Sequence, residues 1–155
     1  MDFCKDNAIV LAAFLGLILL ASLLMPGRAQ AAAAEREVGK SDTGTVYLLA
    51  SSVQPVQKNG SRYLVAAAEE VYTDADFLAD LHSDESTQNA ASELTLYMFT
   101  SDGRYYCIVQ RYLLDSEGRT CADLGGDMQL QMISDKLTAD IYTAALDVLK
   151  EQSGG

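Results

Sequence analysis

At 155 residues with a net charge of −11, the chain has room for one domain, and its surface repels phosphate backbones and anionic lipid headgroups. Of its 22 acidic and 11 basic residues, Asp2, Lys5, Asp6 and Arg28 cancel within the first 31 positions, so all of the excess charge lies downstream. No nucleic-acid partner is expected, because few cations are available to displace counterions; the same acidity also serves solubility.

Residues 8–25, AIVLAAFLGLILLASLLM, run for 18 residues without a charge. As a helix at ~1.5 Å per residue this run would span about 27 Å, close to a bilayer core and longer than a usual signal-peptide apolar region. Pro26 and Gly27 break it, and Ala29-Gln30-Ala31 places small residues where a signal peptidase reads them. The flanks fit neither reading well. Lys5 stands against Asp2 and Asp6, while Arg28, Arg36 and Lys40 follow the run and oppose export of what lies beyond. Residues 1–31 are thus expected to be a signal peptide, cut after Ala31, or a membrane anchor. The rest is expected outside the cytoplasm, secreted or anchored to the membrane by the N-terminal helix.

Residues 32–44 read as a linker, 45–152 as a small acidic α+β domain and 153–155 as a tail. Asn59-Gly60 between apolar stretches predicts a hairpin. Pro55 can donate no ladder bond, which places its strand at an edge. The second arm, VAAAEEV, would also serve as helix. Thr73 is the expected cap of a short helix carrying Phe77, Leu78 and Leu81. A second hairpin turns on Asp102-Gly103, and DSEGR and Gly125-Gly126-Asp127 turn the chain again. MQLQMI alternates as a strand, with Met128, Leu130 and Met132 on one side. Ser134 is the expected cap of a last helix over 135–152, whose stripe is Leu137, Ile141, Ala145 and Val148. This ββα-βββα order predicts an antiparallel sheet of about five strands with two helices on one face, preceded by an apolar N-terminal helix.

Centring the second hairpin on residues 102–103 pairs Met98 with Cys107, Tyr97 with Ile108 and Leu96 with Val109. One face then shows Leu94, Leu96, Met98, Cys107 and Val109, with Arg111 the exception. The other shows Thr95, Tyr97, Phe99, Tyr106, Ile108, Gln110 and Tyr112. Cys121 falls opposite residues 112–114, about 16 Å along a strand from Cys107, whereas a disulfide needs Cα atoms within about 7 Å. Both thiols are expected to be free.

His82, the only histidine, sits at the end of an acidic helix beside Asp80 and Asp84, with no nucleophile motif near it. It reads as a solvated helix-end residue. Asp76, Asp80 and Asp84 recur at a spacing of four but lack the loop that wraps a hard cation, and residues 115–127 lack an EF-hand's glycine and closing glutamate. Neither a metal nor a cofactor is expected, and no catalytic set is identified. Tyr97, Phe99, Tyr106 and Tyr112 are the candidate ligand-binding residues, because phenols join an apolar body to a polar tip. The competing reading is that the helices cover this same face.

The expected function is a small extracytoplasmic binding or interaction module. It would take a protein or small ligand through the aromatic face, and meet the membrane through residues 8–25 if these are retained. The alternatives are a small carboxylate-dependent hydrolase, and a structural subunit of a membrane-bound assembly packed through the apolar helix.

Overall fold

The computed structural model describes residues 35–154; the segment read as a signal peptide or anchor lies outside the described residues. Among the described residues no helix is long and apolar enough to cross a membrane. The elements are β1 (Glu35–Lys40), β2 (Gly44–Lys58), β3 (Ser61–Tyr72), α1 (Ala75–Leu81), β4 (Ala90–Thr100), β5 (Tyr105–Asp115), β6 (Thr120–Met132) and α2 (Lys136–Ser153). The strands pair in chain order as one six-stranded antiparallel sheet, which with the two helices makes an α+β fold.

The strand count corrects the expected five, and the additional strand is β1, inside the stretch read as linker. Its composition suits an edge. Val38 packs on the core, while charged Glu35, Arg36, Glu37 and Lys40 blunt the open side against further pairing. Arg36 also pairs with Glu151 of α2. β1 covers β2 only from Thr45 to Leu49, so among the described residues the half of β2 that holds Pro55 has β3 as its sole strand neighbour. The missing N–H of Pro55 is tolerated on that local edge.

Turn chemistry behaves as the residues dictate. Asn59 (φ 49°) and Gly60 (φ 80°) both take the left-handed conformation that a two-residue hairpin turn requires. The second hairpin opens to a four-residue loop, 101–104, yet keeps the expected pairs Met98–Cys107 and Tyr97–Ile108. The caps shift by one residue. Asp74 accepts the Phe77 amide at 2.8 Å and Asp135 the Thr138 amide at 2.7 Å, in place of Thr73 and Ser134. A carboxylate there both satisfies an orphan donor and faces the positive end of the helix dipole. The ambiguous VAAAEEV is strand: β3 pairs on both sides, and Ala66, Ala67 and Ala68 are all buried.

Two bulges redirect side chains. On β2, Leu49 pairs with Ala67 and Gln54 with Val65, so residues 50–53 stand against Ala66 alone. On β5, Tyr97 pairs with Ile108 but Leu96 pairs with Gln110, leaving Val109 as an extra residue. Beyond each bulge the strand presents the opposite set of side chains.

Val46, Leu48, Val53, Leu64, Ala66, Ala68 and Phe99 form the core beneath Ile141, Ala145 and Val148 of α2. Phe77, Leu78 and Leu81 of α1 pack on Tyr72, Ala90 and Leu113. On the sheet face opposite α2, Val65, Ala67, Leu96, Met98, Cys107 and Val109 cluster with Leu49, Val56, Tyr63, Leu94 and Met128 around them. No disulfide joins Cys107 and Cys121, in agreement with the register argument.

Candidate functional site

Three of the four expected aromatics come together and the fourth does not. Phe99 is fully buried beneath α2, its ring 5.6 Å from Tyr97, 6.2 Å from Tyr106 and 5.4 Å from Tyr142 of the helix. It is a core residue, out of reach of any outside ligand. Tyr97 and Tyr106 are half-buried beside it, and the Tyr106 hydroxyl donates to Gln131 Oε1 at 3.1 Å. Tyr112 leaves this group: beyond the Val109 bulge it pairs with Leu94, on the opposite face. The same bulge brings Arg111 opposite Thr95, onto the α2 face. The one residue that broke the expected alternation is thus the one the bulge moves.

Arg111 joins a polar patch whose floor is β3, β4 and β5. Glu70 and Glu93 are direct cross-strand partners there, and like charges so placed repel. Ser41 Oγ and Thr43 Oγ1 both donate to Glu70 Oε1. Tyr72 donates to Glu93 Oε2 at 3.3 Å and Thr95 Oγ1 to Glu93 Oε1 at 3.0 Å. Gly44 makes the Ser41–Thr43 turn possible, because a Cβ there would lie 2.1 Å from the Val71 carbonyl oxygen. Its amide donates to Ser41 Oγ at 2.9 Å, which holds the hydroxyl over Glu70.

The charges of this patch form no close ion pair. Among the described residues no ion pair includes Glu70, Glu93 or Arg111, and Arg111 Nε is buried without a hydrogen-bond partner. Tyr72, whose ring lies 4.7 Å from that of Phe77, borders the patch on the α1 side. Burial first, then the charges of Glu93 and Glu70, push its phenol well above the ordinary tyrosine value, with Arg111 partly offsetting them. Tyr97 borders the α2 side, and burial followed by Glu93 pushes its phenol up as well. Both phenols are therefore neutral hydrogen-bonding groups at physiological pH.

The other sequence candidates settle elsewhere. His82 caps the C-terminus of α1, exposed, with Nε2 at 2.7 Å from the Ala90 carbonyl oxygen, tying the following loop to β4. Because α1 ends at Leu81, Asp84 does not continue the row of Asp76 and Asp80 and instead accepts from Ser86. Among the described residues no group of three or more His, Cys, Asp or Glu could hold a metal. Asp115 organises the β5–β6 turn by accepting from the amides of Glu117 and Arg119 and from Arg119 Nε. Burial raises the Cys121 thiol, which keeps it protonated rather than nucleophilic.

Sequence reasoning missed Glu70, Glu93, Thr95 and Tyr72 as a group, since they meet only through cross-strand register. Neither a family model, nor a curated protein, nor a solved structure matches this chain.

Proposed function

We propose that this protein is a small extracytoplasmic binding module, secreted or tethered by residues 8–25, which takes its ligand on the α2 face at Arg111, Glu70, Glu93 and Thr95. Tyr72, which donates to Glu93, packs against Phe77, Leu78 and Leu81 of α1, and Tyr97 packs with the core beneath α2. One observation carries the reading: among the described residues Arg111 Nε is buried without a hydrogen-bond partner on the sheet face where Glu70 and Glu93 stand directly opposed and make no ion pair. A buried polar atom left unsatisfied costs stability, as do like charges placed opposite each other. Violations of this kind concentrate where a protein binds or reacts.

The test is a stability measurement that needs no ligand. Glu70→Gln keeps an oxygen for both hydroxyl bonds, which end on Oε1, and removes the repulsion. It should stabilise the fold by roughly 0.5 kcal/mol. Arg111→Met, close in volume and uncharged, should be neutral or stabilising. Losses above about 1 kcal/mol in both variants would mean that the patch serves the fold, and the binding reading would fail. Localisation is tested by intact mass in membrane and soluble fractions: a chain starting at Ala32 indicates a cleaved leader, and a full-length chain confined to membranes indicates a tether.

A further inference from the structure

We infer that two copies of this chain join edge to edge through β6, antiparallel about a two-fold axis at Leu130, so that their sheets become one. This stands apart from the reading of the α2 face. β6 ends the strand order, so among the described residues its outer ladder is unpaired. The helices leave that side open. α2 packs over β1, β2 and β3, and α1 packs on the cluster that includes Cys121 and Ala122, at the start of β6. The large apolar side chains left exposed among the described residues are Tyr105, Leu124, Leu130 and Met132, all on β6 or its neighbour β5. The opposite edge, β1, is blunted by charge, whereas residues 128–134, MQLQMIS, carry none.

A second copy fits because this segment is its own complement. Residues 128–132 read MQLQM in either direction. Antiparallel pairing centred on Leu130 sets Leu130 against Leu130, Gln129 against Gln131 and Met128 against Met132 of the second copy. A glutamine amide both donates and accepts, so the Gln pairs are self-complementary. The backbone agrees. The Ile133 amide donates to the Arg104 carbonyl at 2.9 Å, toward β5. Alternation along the strand then turns the N–H and C=O groups of Leu130 and Met132 outward, and Leu130 exchanges both bonds with its copy. A net charge of −11 opposes self-association, so a contact between copies belongs where charge is absent. In this register no carboxylate meets another, since Asp127 falls opposite Ile133 and Asp135 opposite Gly125 of the second copy. One strand edge buries less than a standard interface, so the dimer is of micromolar strength, and salt tightens it by screening the repulsion.

The test uses the chain as isolated from its host, in mild detergent, with mass followed by sedimentation. The parent should dimerise, and Leu130→Lys and Leu130→Glu, each with an unchanged circular dichroism spectrum, should each weaken dimerisation about tenfold or more. An equimolar mixture of the two should restore it, because Leu130 faces itself across the axis. Leu130→Cys should form a covalent dimer on mild oxidation, well above the parent and above Ser51→Cys, since a hydrogen-bonded pair sets its Cα atoms about 5.5 Å apart. A parent that stays monomeric at about 1 mM would overturn the inference and leave the edge to a strand of another protein. A dimer untouched by either charge would overturn it as well, placing the contact on another face or in residues 8–25. Cross-linking of Leu130→Cys no greater than that of Ser51→Cys would refute the two-fold register.

Discussion

Replacing Ser52 by alanine removes the one hydroxyl that repairs the β2 bulge. Ser52 is 1% exposed; its Oγ accepts the Ala67 amide at 2.7 Å and donates to the Leu49 carbonyl at 2.6 Å. Because residues 50–53 stand against Ala66 alone, this hydroxyl takes the place of a ladder carbonyl for Ala67. Alanine leaves a buried N–H unsatisfied, a loss of about 2 kcal/mol. A domain of this size is held by roughly 6–18 kcal/mol, so the effect is a sizeable fraction of the whole. Urea unfolding should show a lower midpoint at unchanged slope. The melting temperature should fall by roughly 6–10 °C. Exchange of the Ala67 amide should accelerate. Ser51→Ala, at the exposed neighbour, should stay within about 0.5 kcal/mol of the parent. A Ser52→Ala variant equally close to the parent would refute the argument, because Ala67 would then have another partner.

Further predictions rest on separate features. Gly103 has φ 67°, and a Cβ there would lie 2.4 Å from the Tyr142 ring, whereas Gly118, at φ 80°, faces open space. Gly118→Ala should cost about 1 kcal/mol in backbone strain alone, and Gly103→Ala measurably more in the same denaturation assay; equal losses would contradict the ring contact. Asp135→Ala removes the α2 cap and should cost about 1 kcal/mol, while Ser134→Ala should be near neutral; the reverse order would return the cap to Ser134. Tyr72 and Tyr97 have folded-state pKa values above the unfolded one, so the folded state holds these protons more tightly. Their contribution is complete below about pH 10 and is lost as the pH rises through the folded values. Tyrosinate absorbance should therefore show both phenols ionising only together with alkaline unfolding, and ionisation at pH 10 in the intact fold would disprove their burial.

How far the sequence alone reaches is clearest in β4 and β5. The Asp102-Gly103 loop sets the pairing of Met98 with Cys107 and Tyr97 with Ile108, and a short loop carries its register outward until a bulge intervenes. That register also keeps Cys107 and Cys121 apart. Asn59-Gly60 and the stripe of Ile141, Ala145 and Val148 were legible for the same reason: turn geometry and helical period are local energies, written in neighbouring residues. Arg111, the odd charge in an apolar alternation, was the visible trace of the bulge, although nothing local said on which side of Val109 the strand would turn.

What only the tertiary structure decided is everything that depends on which strands meet. β1 is a strand because β2 offers it an edge, and its charged residues have no pattern that announces this by itself. VAAAEEV is strand rather than helix because β2 and β4 pair with it on both sides. The bulges at residues 50–53 and Val109 cost little in local propensity, yet each reverses the facing of every side chain beyond it. That reversal sends Tyr112 to the far face and brings Arg111 beside Glu70 and Glu93, so the candidate site is a product of cross-strand pairing, which acts between residues far apart in the chain.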